Sequence, residues 1–118
     1  MNRNLELIST VSCIIPVYND ATGAKNTLCS IISQSFTKWD VFAVDNNSTD
    51  NTTDLIAAFS DDHRKIHMRT EDKIQSSYAA RNKGIEAADG DILAFLDADE
   101  TVGEDWLATA LAALQKQN

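Results

Sequence analysis

At 118 residues, with 43% hydrophobic and 24% charged residues, a single proline and four glycines, the chain has the composition of one small globular domain and leaves no room for a low-complexity linker. Its 18 acidic against 10 basic residues give a net charge of −8, which argues against polymeric nucleic acid as a partner, since a phosphate polymer needs a basic surface. An anion bound here must be neutralised locally, by a metal ion or by a placed arginine.

Val11 to Val17 is a nearly continuous apolar run, the mark of a parallel strand buried on both faces, and Pro16 is expected to end its pairing. After a loop at Tyr18-Asn19-Asp20, residues Leu28, Ile31 and Ile32 recur at helical spacing and predict a first helix reaching Gln34. Val41-Phe42-Ala43-Val44 reads as a short second strand, closed by the cap and turn formers Asp45-Asn46-Asn47-Ser48-Thr49-Asp50. Leu55, Ile56 and Phe59 mark a second helix. Lys65 to Arg69 reads as a weak third strand, Tyr78 to Ala88 as a third helix closed by Gly90, and Asp91 to Leu96 as the fourth strand. A last helix starts near Glu104 and carries Trp106, Leu107, Leu111 and Leu114 on its apolar side. Repeated βα units of this length imply parallel strands, right-handed crossovers and helices on both faces. The predicted fold class is therefore α/β, a doubly wound, mostly parallel sheet in a single domain over 1–118.

Met1-Asn2-Arg3-Asn4-Leu5-Glu6-Leu7-Ile8 has no long apolar core for a signal peptide, and nothing later is long and apolar enough for a transmembrane segment, so the expected address is the cytoplasm. Cys13, in a strand, and Cys29, in a helix, have neither a metal-ligand spacing nor a disulfide framework, and both read as buried free thiols. His63 and His67 stand four apart, but charged residues and then a strand separate them, which speaks against a zinc site.

The segment carrying the most chemistry is Ile92-Leu93-Ala94-Phe95-Leu96-Asp97-Ala98-Asp99-Glu100, an apolar strand with two carboxylates one residue apart at its C-terminal end. Open α/β sheets bind their ligands at that end. Alternate residues of an extended strand share a face, so Asp97 and Asp99 are expected to converge on one ligand. A hard divalent cation suits two carboxylates, with water and substrate phosphates completing its shell. The other strand ends add the aromatic face of Tyr18, the carboxylate of Asp45 and the guanidinium of Arg81. A carboxylate accepts from a ring N–H, an aromatic stacks on a base, and a metal clamps a diphosphate. Each residue also has a plainer role open to it: turn or cap for the aspartates, packing for Tyr18, a solvated helix charge for Arg81. Neither nucleotide fingerprint is present, since no Gly-x-Gly-x-x-Gly opens a helix and Gly23-Ala24-Lys25-Asn26-Thr27 lacks the spacing of a phosphate loop.

Four ordered segments, Val11 to Asn19, Val44 to Thr52, Ala80 to Ile85 and Phe95 to Asp99, resemble in order and spacing the nucleotide-sugar half of the family 2 inverting glycosyltransferases of GT-A fold. The resemblance implies a nucleotide-diphospho-sugar transferase-like sheet of order 3-2-1-4. It also implies a nucleotide-sugar donor, with UDP-sugar the first expectation, and Mn²⁺ or Mg²⁺ as cofactor. By it, Pro16, Tyr18 and Asn19 frame the base and ribose, Asp45 bonds the base, and Asn47 and Ser48 close the pocket. Arg81 lies near the diphosphate, Asp97 and Ala98 near the ribose and metal, and Asp99 is the direct metal ligand, with Asp97 beside it and Lys83 a lesser phosphate candidate. Ser76-Ser77-Tyr78-Ala79-Ala80 departs from the glycine-containing loop that many members carry. Members continue past the final helix into an acceptor-binding half with the general base, so no catalytic base is expected within 1–118. The fourth strand then lies at the sheet edge, where an apolar strand calls for a partner, most simply a second copy in a homo-oligomer. A non-catalytic nucleotide-sugar-binding module and a nucleotidyltransferase are the competing readings.

Overall fold

The structure, a computed structural model, describes residues 9–116; the Met1 to Ile8 segment lies outside the described residues. Among the described residues four strands alternate with four helices: β1 (Val11–Val17), α1 (Ala21–Ile32), β2 (Trp39–Asp45), α2 (Thr52–Asp62), β3 (Ile66–Thr70), α3 (Ser77–Ala87), β4 (Ile92–Phe95) and α4 (Trp106–Lys116). All pairings are parallel, and the order across the sheet is β3-β2-β1-β4, as expected.

Every residue of β1 is buried, because this central strand is covered on both faces. Val11, Cys13, Ile15 and Val17 share one core with Leu28 and Ile31 of α1, Ile56 of α2, and Leu107 and Leu111 of α4. On the other face α3 lies close against the sheet. An added Cβ at Gly84 would come within 2.6 Å of Ile14 Cγ2 and 3.3 Å of Val44 Cγ2, so the small residues Ala80 and Gly84 set that approach. Burial, with the Asp40 carboxylate adding to it, pushes the Cys13 thiol up to about 12. Cys29, read from the sequence as buried, is exposed, because the inward stripe of α1 runs through Ala24, Thr27, Leu28 and Ile31.

Pro16 ends pairing on one side only. It stays in register with Val44 of β2, while the ladder with β4 stops at Ile14 and Phe95, capped by Leu96 N–H donating to Ile14 O at 3.2 Å. Alternate residues of a strand point their hydrogen-bonding groups to opposite neighbours, so the missing donor of Pro16 faces the side where β4 has already ended.

β4 is one of the two sheet edges, opposite β3. Ile92 N–H bonds Thr10 O toward β1, which leaves the backbone groups of Leu93 and Phe95 directed outward, and their side chains are 38% and 44% exposed. Ile92, Leu93, Trp106 and Leu111 line an apolar groove of about 360 Å³ between β4 and α4.

Candidate functional site

The chain runs from β1 to β2 to β3 in one direction across the sheet and then returns to the other side of β1 for β4, so the strand order reverses between β1 and β4. Ligands of open α/β sheets bind outside the carboxyl ends of the strands at such a reversal. The loops after β1, β2 and β4 form that rim, and they carry the motifs singled out in the sequence.

After β1, Tyr18 is 47% exposed, which removes the reading of it as a packing aromatic. It lines a cavity of about 300 Å³ with Pro16, Val17, Asn46, Gln75 and Ser76. Asn19 adopts a left-handed backbone (φ 47°), and its side chain is a clasp: Oδ1 accepts from Thr49 N–H at 2.7 Å and Asp50 N–H at 3.3 Å. Its own N–H donates to Ser48 Oγ at 2.9 Å. The polar groups of Asn19 are therefore engaged in tying the first loop to the second. Asp20 accepts from Gly23 N–H and caps α1.

After β2, Asp45 is 3% exposed and divides its two oxygens. Oδ2 accepts from Ser48 N–H and from Thr53 Oγ1, both at 3.1 Å, which is the turn-forming role. Oδ1 is buried and receives no hydrogen bond from any described residue. Asn47 is exposed with φ 63°, a conformation that asparagine tolerates better than most residues. Asp50 Oδ1 accepts from Thr52 N–H and Thr52 Oγ1, and these bonds hold its carboxyl below the ordinary range.

The β3–α3 connection forms the wall facing Tyr18. Asn46 Nδ2 donates to Glu71 O at 2.8 Å and Ile74 O at 3.0 Å, and Gln75 Nε2 donates back to Asn46 O at 3.1 Å. Glu71 Oε2 accepts from the backbone N–H groups of Ile74 and Lys73, which lower its carboxyl below the usual value. Ser76 caps α3 through Ala79 N–H, so the departure from a glycine-containing loop is a helix start.

After β4, the expectation that strand alternation aims Asp97 and Asp99 together is corrected. The strand stops at Phe95, and Ala98-Asp99 form a turn, closed by Glu100 N–H donating to Asp97 O at 3.0 Å. Asp97 N–H in turn donates to Glu100 Oε1 at 2.8 Å. Both aspartates are exposed. Asp97 lines a polar cavity of about 390 Å³ with Arg81, Phe95, Leu96 and Glu100. The Arg81 guanidinium, half-buried on α3, makes no ion pair with any described residue. Lys83 lies on α3 beside a different cavity, with Glu71 and Asn82. No group of three or more His, Cys, Asp or Glu among the described residues could enclose a metal.

The first helix ends at Ile32, short of the expected Gln34, and sequence reading missed the residues that support the rim: Thr27 and Ser30 of α1, Gln34 just past its end, Asn46, and Glu100. A signal existed for the first three, since they are polar residues at the inward spacing of an amphipathic helix. His63 and His67 share no site; each stacks on a phenylalanine, Phe59 and Phe42.

Among the described residues no helix is long and apolar enough to cross a membrane. The chain is 42% identical over 106 residues to the glycosyltransferase AglE of Haloferax volcanii, a match covering 88% of this chain and 35% of that protein. The structure of Staphylococcus aureus TarS superposes with a TM-score of 0.81 at 24% identity, over 91% of this chain and 32% of the other. The mannosyltransferase PcManGT from Pyrobaculum calidifontis, solved with GDP-Man and Mn²⁺, gives 0.79 at 27% identity over the same 91% of this chain and 32% of its own. The chain spans about a third of the length of these relatives. Its α/β sheet is that of the GT-A glycosyltransferases, and the pattern described as Glycosyl transferase family 2 matches residues 12–118, so the chain belongs to that family.

Proposed function

We propose that this chain is the donor-binding portion of an inverting glycosyltransferase, whose rim takes a nucleoside diphosphate sugar, UDP-sugar foremost, with Mn²⁺ or Mg²⁺. The observation that carries this reading is Asp45. A buried carboxylate oxygen without a donor is costly unless something supplies one, and Asp45 immediately precedes Asn46, which lines the Tyr18 cavity. A ring N–H of a pyrimidine base satisfies it, while the exposed Tyr18 face covers the base. Pro16 lines the cavity, Asn19 and Ser48 tie together the loops that bound it, and the exposed Asn47 closes the pocket.

The acidic residues at the end of β4 fit the metal. They offer exposed hard oxygen donors, the kind that a Mg²⁺ or Mn²⁺ ion takes one or two at a time beside water and phosphate. Asp99, with Asp97 beside it and Ala98 between, would hold that ion, which when bound offsets the charge gathering on the departing diphosphate. The unpaired Arg81 offers the diphosphate a cation from this chain itself, in a protein otherwise carrying −8. PcManGT, with its bound GDP-Man and Mn²⁺, supports the class of ligand. The cytoplasmic address, the single-domain reading of 1–118 and the placing of the acceptor half beyond it belong to the same proposal.

Asp45→Asn tests the base contact. Ser48 N–H and Thr53 hydroxyl both donate to one oxygen, so the amide must keep its carbonyl on them and turn its NH₂ toward the ligand. Donor then meets donor, and UDP affinity should fall by about 1.5–3 kcal/mol, the scale of a hydrogen bond to a charged group. Unchanged UDP binding with a lowered melting temperature would make Asp45 a structural cap alone.

The uncovered edge of β4 supports association through that edge, a second copy being its simplest occupant. Light scattering should give twice the chain mass; a stable monomer contradicts it.

A further inference from the structure

We propose that Thr27 of α1 and Glu100 are the positioning residues of the Asp97-Ala98-Asp99 turn, an inference that rests on the metal-dependent donor site proposed above. The backbone conformation of a residue is fixed when the peptide units on both sides of it are held. Thr27 Oγ1 lies 2.6 Å from Ala98 O and 2.5 Å from Glu100 O, the carbonyls one residue before and one residue after Asp99, and shares its one proton between them. The peptide unit between Asp99 and Glu100 is held by Glu100 N–H on Asp97 O. Both peptide units flanking Asp99 are thereby held, one by Thr27 and the next by the turn bond, and the grip on Glu100 O fixes the exit.

Asp97 is held in the same way by Glu100. Its own N–H donates to the Glu100 carboxylate, and its carbonyl accepts from the Glu100 N–H, so one residue closes the turn from both ends. The side chains of Asp97 and Asp99 stay exposed on the rim while their backbone is tied down.

The tie belongs to a longer seam. Thr27 and Ser30 of α1 and Gln34, two residues past its end, all bond the segment after β4: Val102 N–H donates to Ser30 Oγ at 3.3 Å, Gln34 Nε2 donates to Gly103 O at 2.6 Å, and Leu107 N–H donates to Gln34 Oε1 at 3.0 Å. Thr27 itself is fully buried. A seam built only to hold α1 on the sheet would need no hydroxyl at position 27, because valine has the same shape and fills the same space; a hydroxyl there serves the two carbonyls. Residues that orient metal ligands without touching the metal change metal affinity by roughly 10–100-fold when removed.

The test is Mn²⁺ and UDP titration of the protein carrying Thr27→Val, Thr27→Ser, Glu100→Ala or Glu100→Gln, read by calorimetry and by the Mn²⁺ electron paramagnetic resonance signal. Wild type must first show Mn²⁺-dependent UDP binding; without it the donor-site proposal itself fails. Given that, Thr27→Val should weaken Mn²⁺ binding about tenfold or more and leave UDP binding in EDTA unchanged. Thr27→Ser, which keeps the hydroxyl, should restore Mn²⁺ affinity. Glu100→Ala should weaken Mn²⁺, while Glu100→Gln, which keeps a carbonyl to accept from Asp97 N–H, should retain most of it. Should Thr27→Val fold poorly, the exposed Glu100 pair carries the test, since its side chain fills no core space. Wild-type Mn²⁺ affinity in a folded Thr27→Val or in Glu100→Ala overturns the inference, as does equal loss of UDP affinity with and without the metal.

Discussion

At the scale of single residues, the site depends on side chains that have one atom committed to the fold and another left over. Asp45 is the clearest case, with Oδ2 engaged in its turn and Oδ1 buried without a donor. Asn19 is the reverse: it lies on the rim, but its amide is spent on Thr49 and Asp50, and its role is to hold the loops in register. Gly84 shows the same economy in the scaffold that carries Arg81. Its missing Cβ would stand 2.6 Å from a methyl of the fully buried Ile14. Gly84→Ala gains helix propensity, worth up to about 1 kcal/mol, but overpacks β1 by roughly 1–3 kcal/mol. The clash should win and lower the melting temperature by several degrees, on the order of 4 °C per kcal/mol for a domain of this size. Calorimetric melting showing an equal or higher value would mean that α3 rides farther from the sheet than described.

At the scale of elements, the strands and helices were legible because their signals are strong and local. β1 was readable to its ends, since a seven-residue apolar run bounded by Thr10 and Tyr18 admits one reading, and the motif-bearing loops follow from it. The interior of the rim was less legible. Asp97 and Asp99 looked like neighbours on one face of a strand, but parallel pairing with β1 ends at Phe95 and the two carboxylates enter a turn. The last β4 pair is Phe95 with Ile14, and Pro16, two residues further along β1, cannot donate to a longer ladder. The support of that turn by Thr27 is equally non-local, with the two partners 71 residues apart. Sequence patterns report what a segment prefers; they do not report which distant segment will hold it. Cys29 was misjudged for a related reason, since helical spacing from Leu28 turns it away from the stripe that packs on the sheet.

At the scale of the whole molecule, the proposed donor site asks a strongly acidic protein to bind an anion. A net charge of −8 repels a diphosphate at long range, and Arg81 alone supplies a facing cation in the cavity with Asp97 and Glu100. The account therefore requires a divalent cation to make the acidic turn a phosphate site. Calorimetric titration of UDP into the protein, once with Mn²⁺ and once with EDTA, measures this requirement directly. The account predicts binding with Mn²⁺ that weakens by at least tenfold in EDTA, a loss of about 1.4 kcal/mol or more. Equal UDP affinity in the two conditions would contradict it.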